Sequence, residues 1–129
     1  MLGLVAISLL LQLPTRVWPW AIPAAVLTII YPLMKRYIQA PQLVLGLAFS
    51  FAIPMVYVAY DKAFDAVFWI MFTANVCWVV MFDTQYAMSD RDDDLKIGVK
   101  STAIWFGRFD ILVIALLQTV CVWAMLLLI

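Results

Sequence analysis

The chain has 129 residues, 67% of them hydrophobic and only 12% charged, with a mean hydropathy of +1.05. A soluble domain carries about twice that share of charge, so the composition excludes a water-soluble globular fold and points to a polytopic membrane protein. Eight Lys+Arg balance eight aspartates, histidine is absent, and Cys77 and Cys121 lie singly inside apolar runs, which argues against nucleic-acid binding, a zinc centre and histidine-based catalysis.

Met1 to Leu13 is an apolar run of about 13 residues, short of the roughly 20 that cross a bilayer. Without a basic flank or a small-residue cleavage site it does not read as a signal peptide, and it is expected to be the end of a longer span. After a turn at Pro14 and Arg16, Val17 to Met34 forms a second segment. Trp18 and Trp20 open it at the interface, Pro23 and Pro32 interrupt it, and Lys35 and Arg36 stop it. Gln39 to Tyr60 is the third segment, where Pro54 leaves a carbonyl one turn earlier without its donor and predicts a kink. Asp61, Lys62 and Asp65 make a polar turn, and Ala66 to Phe82 is the fourth segment. Gly98 predicts a helix stop, Ser101 or Thr102 an N-cap, and Phe109 to Ile129 the last span. The expectation is one all-α transmembrane domain of four spans and part of a fifth, with no internal repeat.

Asp83 to Thr102, DTQYAMSDRDDDLKIGVKST, holds five of the eight carboxylates. If the fourth segment continues as helix through it, Asp83, Tyr86, Asp90 and Asp94 share one face. Such a stripe repels itself, and a divalent cation would reverse the cost. The connections on this side of the membrane carry Lys35, Arg36, Arg91, Lys96, Lys100 and Arg108, against Arg16 and Lys62 on the other, a bias that places the acidic stretch in the cytoplasm. Carboxylates beside fixed cations suit an anionic ligand that arrives with metal. Diphosphate with Mg²⁺ is the leading candidate, since Mg²⁺ takes one or two carboxylates plus phosphate oxygens and water. Two other motifs fail. Leu95 stands where a calcium loop needs glycine and Ser101 where it needs glutamate, and Gly98-Val99-Lys100-Ser101 lacks the earlier glycine and the strand of a P-loop.

The run YAMSDRDDDLKIGVKSTA resembles the second aspartate-rich motif of the UbiA superfamily of intramembrane prenyltransferases, in wording nearest to its bacterial branch acting on 4-hydroxybenzoate. YPLMKRY (Tyr31 to Tyr37), with Pro41-Gln42 and Gly46 after it, resembles a signature of the same branch. The resemblance implies an inner-membrane enzyme of ubiquinone biosynthesis that joins a polyprenyl diphosphate to the ring of 4-hydroxybenzoate. It puts the DxxxD pair on Asp90 and Asp94 as Mg²⁺ ligands, and Tyr86 in a role orienting a carboxylate or phosphate oxygen. Lys35 and Arg36, and less strongly Lys100, would hold the diphosphate, while Asp83 would touch substrate or Lys35. Asp92 and Asp93 read as solvated. Trp69, Phe72, Trp78 and Phe82, with Met71 and Met81, are candidates for a dry wall that protects a carbocation.

One departure stands out. The family's first motif, NDxxDxxxD, is missing, Asn75 being the only asparagine, and the family bundle has roughly nine helices. The chain is therefore expected to be a fragment truncated at both ends and inactive alone. The rival reading from another class is a non-enzymatic cation-handling membrane subunit; intramembrane acids mark ion pathways by default, yet these gather at one interface. Within the family, homogentisate or a naphthoate are the alternative acceptors.

Overall fold

The computed structural model describes residues 1–129 and contains only helices. The elements are α1 (Leu2–Leu10), α2 (Trp18–Tyr37), α3 (Pro41–Ser50), α4 (Ala52–Ala59), α5 (Ala66–Ser89), α6 (Arg91–Ile97), α7 (Thr102–Phe106) and α8 (Asp110–Leu127), with single 3₁₀ turns before α2 and α8. Four segments are long and apolar enough to cross a membrane: Thr15–Tyr37, Pro41–Ala59, Ala66–Ser89 and Thr102–Leu127. With α1 as a short fifth piece, this is the architecture the hydropathy predicts, and the protein is an integral membrane protein.

The spans stand in a row. α3 packs on α2 and α5, and α5 packs on α8, which makes α5 the central element. Only 18 of the 129 residues are buried, so narrow seams rather than a broad core hold the row together. That suits a bilayer, where lipid tails are as apolar as leucine and close packing and polar contacts do the joining. Gly46 on α3 lies so near α5 that an added methyl would stand 3.2 Å from the Val76 carbonyl oxygen. One turn on, the Ser50 hydroxyl donates to the Gly46 carbonyl (2.7 Å) and accepts from the Asn75 amide across the seam (3.0 Å).

Prolines shape the row. The third span breaks at Phe51 between α3 and α4, where Pro54 cannot donate to the carbonyl of Ser50. Pro23 and Pro32 both sit inside α2, which nevertheless runs 20 residues. The Asp65 carboxylate caps α5 by accepting from the Phe68 amide (2.9 Å).

The acidic stretch departs from the expected continuous helix. α5 ends at Ser89, Asp90 interrupts the helix at φ −97° and ψ 2°, and α6 starts at Arg91. The four-residue stripe is thus divided: Asp83 and Tyr86 belong to α5, Asp94 to α6, and Asp90 is the joint. The physical reason lies in the charges. Asp92, Asp93 and Asp94 fill the first turn of α6 and Lys96 its last, which complements a separate short helix dipole. Gly98 ends α6 in the left-handed conformation (φ 70°), as its position predicts.

Candidate active site

The site forms where the C-terminal end of α2 meets α5, α6 and α7. It begins with a buried polar seam. Ser101 caps α7 by accepting from the Ile104 amide (3.3 Å). The next amide, that of Thr102, is satisfied from a distance: it donates to Oε1 of Gln42 on α3 (3.0 Å). The Thr102 hydroxyl lies 2.6 Å from that of Thr84 on α5, which itself donates to the Val80 carbonyl (2.6 Å). A hydroxyl has one proton, so Thr102 is the donor in the pair. Gln42, Thr84, Ser101 and Thr102 are each no more than 2% exposed. Each such group would cost about 1–3 kcal/mol if left unpaired, so the seam fixes its own geometry.

Lys100, just before the seam, ties this region to α2. Its amide donates to the Lys35 carbonyl (2.8 Å) and its ammonium to the Tyr37 carbonyl (3.0 Å). A cation on the last carbonyls of a helix also meets the negative end of its dipole. Through these two bonds Lys100 clips the acidic segment against the end of α2. The other anchor is Arg91, whose guanidinium donates to the Asp110 carboxylate at the start of α8. Charge counting alone had placed Arg91 among the topology signals, and no spacing rule pairs it with a residue 19 positions on.

Between these ties lie the carboxylates. Asp90 is exposed and makes no side-chain cap bond, so its oxygens are uncommitted. Asp94 is half-buried, and burial pushes its carboxyl above the usual carboxylate range; Lys35 pulls it down, while Asp90 and Asp93 push it up again. Asp93 pairs with Lys96 (2.9 Å) and, like Asp92, is solvated. Arg36 is exposed and Lys35 half-buried. The Lys35 ammonium stands 5.6 Å from the centre of the Tyr31 ring, a cation-π contact.

Asp83 differs from expectation in its partner. It meets Tyr31 rather than Lys35: the phenol on α2 donates to Oδ2 at 2.8 Å. Tyr31 carries the first letter of YPLMKRY, and nothing local in the sequence pairs it with a carboxylate 52 residues away. Tyr86 is 62% exposed and packs on Phe82 (ring centroids 5.2 Å apart) without a hydrogen bond to any carboxylate. The aromatic wall is not assembled as one surface. Met81 is buried in the α5 seam, Met71 and Trp78 line an apolar cavity of about 330 Å³ with Asn75, Cys121 and Met125, and Trp69 borders another with Trp123.

No group of three or more His, Cys, Asp or Glu side chains stands close enough to hold a metal unaided. Asp94 feels the like charge of Asp90 and the opposite charge of Lys35, so two carboxylates and a fixed cation share this end of the row. That donor set fits Mg²⁺, which binds through one or two carboxylates and completes its octahedron with water and phosphate oxygens.

The family description "UbiA prenyltransferase family" matches residues 1–129. The chain is 57% identical over 117 residues to a protein of Psychrobacter arcticus named 4-hydroxybenzoate octaprenyltransferase, covering 91% of this chain and 38% of that one. Proteins of the same name from Pectobacterium carotovorum and Acinetobacter baylyi are each 55% identical over 117 and 119 residues, again 91% of this chain and 41% of theirs. The chain therefore spans about two fifths of the length of the curated relatives it matches. No solved structure matches it.

Proposed function

The chain belongs to the UbiA prenyltransferase family, and from that premise we propose that it is part of an enzyme transferring a polyprenyl group from polyprenyl diphosphate to the ring of 4-hydroxybenzoate, in ubiquinone biosynthesis. The observation that carries the proposal is the attachment of Lys100 to the Lys35 and Tyr37 carbonyls, which sets the acidic α6 beside the basic end of α2. A buried seam and the Lys100 clip hold the acidic segment against the end of α2, bringing acidic and basic groups to one end of the row. Such a pairing suits metal-bound diphosphate.

The roles follow from the donors. Asp90 and Asp94 would hold Mg²⁺, which when bound neutralises charge on the diphosphate and eases its departure. Lys35 and Arg36 bind the phosphate oxygens and stabilise the negative charge that grows as the allylic C–O bond breaks. Tyr86, exposed one turn before Asp90, donates its phenol to a phosphate oxygen or a carboxylate. Lys100 acts through its grip on α2, keeping Lys35 in place. Asp83, about seven residues deeper along α5, reaches the acceptor. The apolar faces of α5 and α8 take the isoprenoid tail and keep water from the cation. The excess of Lys and Arg at this end supports a cytoplasmic site in the bacterial inner membrane.

The test joins this chain to the preceding segment of the Psychrobacter relative and assays membranes for Mg²⁺-dependent transfer from geranyl diphosphate to 4-hydroxybenzoate. Transfer by the fusion, lost in Asp90→Ala and Asp94→Ala, is the expected result. Transfer only to homogentisate or a naphthoate would replace the acceptor. A folded, inserted fusion that binds Mg²⁺ without diphosphate and transfers nothing would return the protein to the cation-handling class.

A further inference from the structure

Asp83 is the carboxylate set deepest in the central span. It precedes Asp90 by seven residues, about 10 Å along a helix at 1.5 Å per residue, on the membrane side of the proposed diphosphate site. A carboxylate at such a depth is costly and calls for a partner. Its partner is a neutral phenol: Tyr31 donates to Oδ2 at 2.8 Å, and Oδ1 accepts no hydrogen bond. Both residues are half-buried. A phenol orients a carboxylate without cancelling its charge, so Oδ1 keeps open lone pairs and a fixed direction.

The pair also lies on the working side of the row. The Lys35 ammonium sits over the Tyr31 ring, and the same ammonium acts on Asp94. Lys35, Tyr31 and Asp83 therefore form one line of contacts along the α2–α5 seam, with Asp94 near enough to feel the Lys35 charge at its water-facing end. A diphosphate head at Asp94 and Lys35 would direct its allylic carbon toward Asp83.

Prenyl transfer to a ring carbon needs something at that place. When the allylic C–O bond breaks, its electron pair leaves with the diphosphate. A π pair of the ring then forms the new C–C bond, and the ring regains aromaticity only when the proton on the attacked carbon departs. Resting on the prenyl-transfer reading above, we infer that Asp83 is the base that takes this proton on Oδ1, with Tyr31 as its positioning residue. The C–H pair returns to the ring, the proton goes to the carboxylate, and no further reactant is required.

The experiment uses the same fusion, with ordinary and ring-deuterated 4-hydroxybenzoate. The unaltered fusion should show an isotope effect near unity, because breaking the C–O bond limits the rate. Asp83→Asn should lower turnover by about 100-fold, the usual worth of a positioned base, and raise the isotope effect clearly above unity as proton loss becomes limiting. Tyr31→Phe should lose less and shift the isotope effect the same way, while Asp83→Glu should recover part of the rate. Undiminished turnover in Asp83→Asn overturns the assignment. So does slow turnover with an unchanged isotope effect in both Asp83→Asn and Tyr31→Phe, which would mark the pair as structural. If Asp83→Asn fails to insert, Tyr31→Phe decides by its isotope effect alone. A fusion that transfers no prenyl group to any aromatic acceptor takes down the prenyl-transfer reading and this inference together, whereas an active fusion without the isotope signature removes only the base.

Discussion

The two ends of the helix row are closed by different physics. At the end bearing the α4–α5 turn, Trp20, Tyr57, Phe64 and Phe68 meet edge-on or stacked, with centroids 4.2 to 5.4 Å apart, and Arg16 pairs with Asp61 at the exposed rim. At the other end the closure is made of hydrogen bonds that Thr102 donates to Gln42 and Thr84 and that Lys100 donates to Tyr37. Ring packing fills space and tolerates small shifts, because dispersion is weakly directional. Hydrogen bonds fix direction to within tens of degrees. The end that carries Asp90 and Asp94 is the one built from directional contacts.

The strongest way to break the contrast is at the carboxylates. In the fusion, Asp94→Ala or Asp90→Ala should lower Mg²⁺-dependent prenyl transfer by about 100-fold or more, on the scale of losing one charge-stabilising group, measured as initial rate at saturating substrate. Phe68→Leu at the opposite end should leave the Mg²⁺ dependence unchanged. If both ends behave alike, the division of labour is wrong. Next comes Gln42→Ala, which strands the Thr102 amide and should cost about 1–3 kcal/mol of stability, followed by thermal unfolding in detergent micelles. A still smaller loss, about 0.5–1.5 kcal/mol, is expected for Phe64→Leu, which removes a stacked pair but leaves an apolar side chain in place.

The mildest effect concerns pH. Burial raises the Asp94 carboxyl above its ordinary value, so the folded protein holds that proton more tightly than the unfolded chain does. Between the ordinary and the raised value, stability therefore falls as pH rises, the charged form being the one that burial penalises. Mg²⁺ binding has the opposite sense, because it needs the carboxylate. Apparent Mg²⁺ affinity, read by titration at a series of pH values, should weaken on acidification sooner than for Asp94→Ala, in which Asp90 alone remains. Identical pH profiles would show that Asp94 is not a ligand.

Much of this was legible in the chain itself. Hydropathy placed four spans, Pro54 announced the break at Phe51, and Gly98 and Ser101 marked the limits of the acidic segment, because each of these signals is local. What distance in the chain conceals was missed. Tyr31 meets Asp83 across 52 residues, Gln42 meets Thr102 across 60, and Lys100 reaches Tyr37 across 63. The helical face drawn through Asp83, Tyr86, Asp90 and Asp94 also failed at Asp90. The periodicity allowed one long helix, but a second helix start supplied better use for three consecutive aspartates.

The bond between Gln42 and Thr102 also orders events in time. A ribosome adding about 5–20 residues per second delivers Gln42 several seconds before its partner exists. Until Thr102 has been made, the segment that carries Asp90 and Asp94 lacks this attachment to α3. A chain that ends before Thr102 thus lacks the long-range bond that fixes the acidic segment relative to α3, so the order of synthesis sets the order in which this end of the row can close.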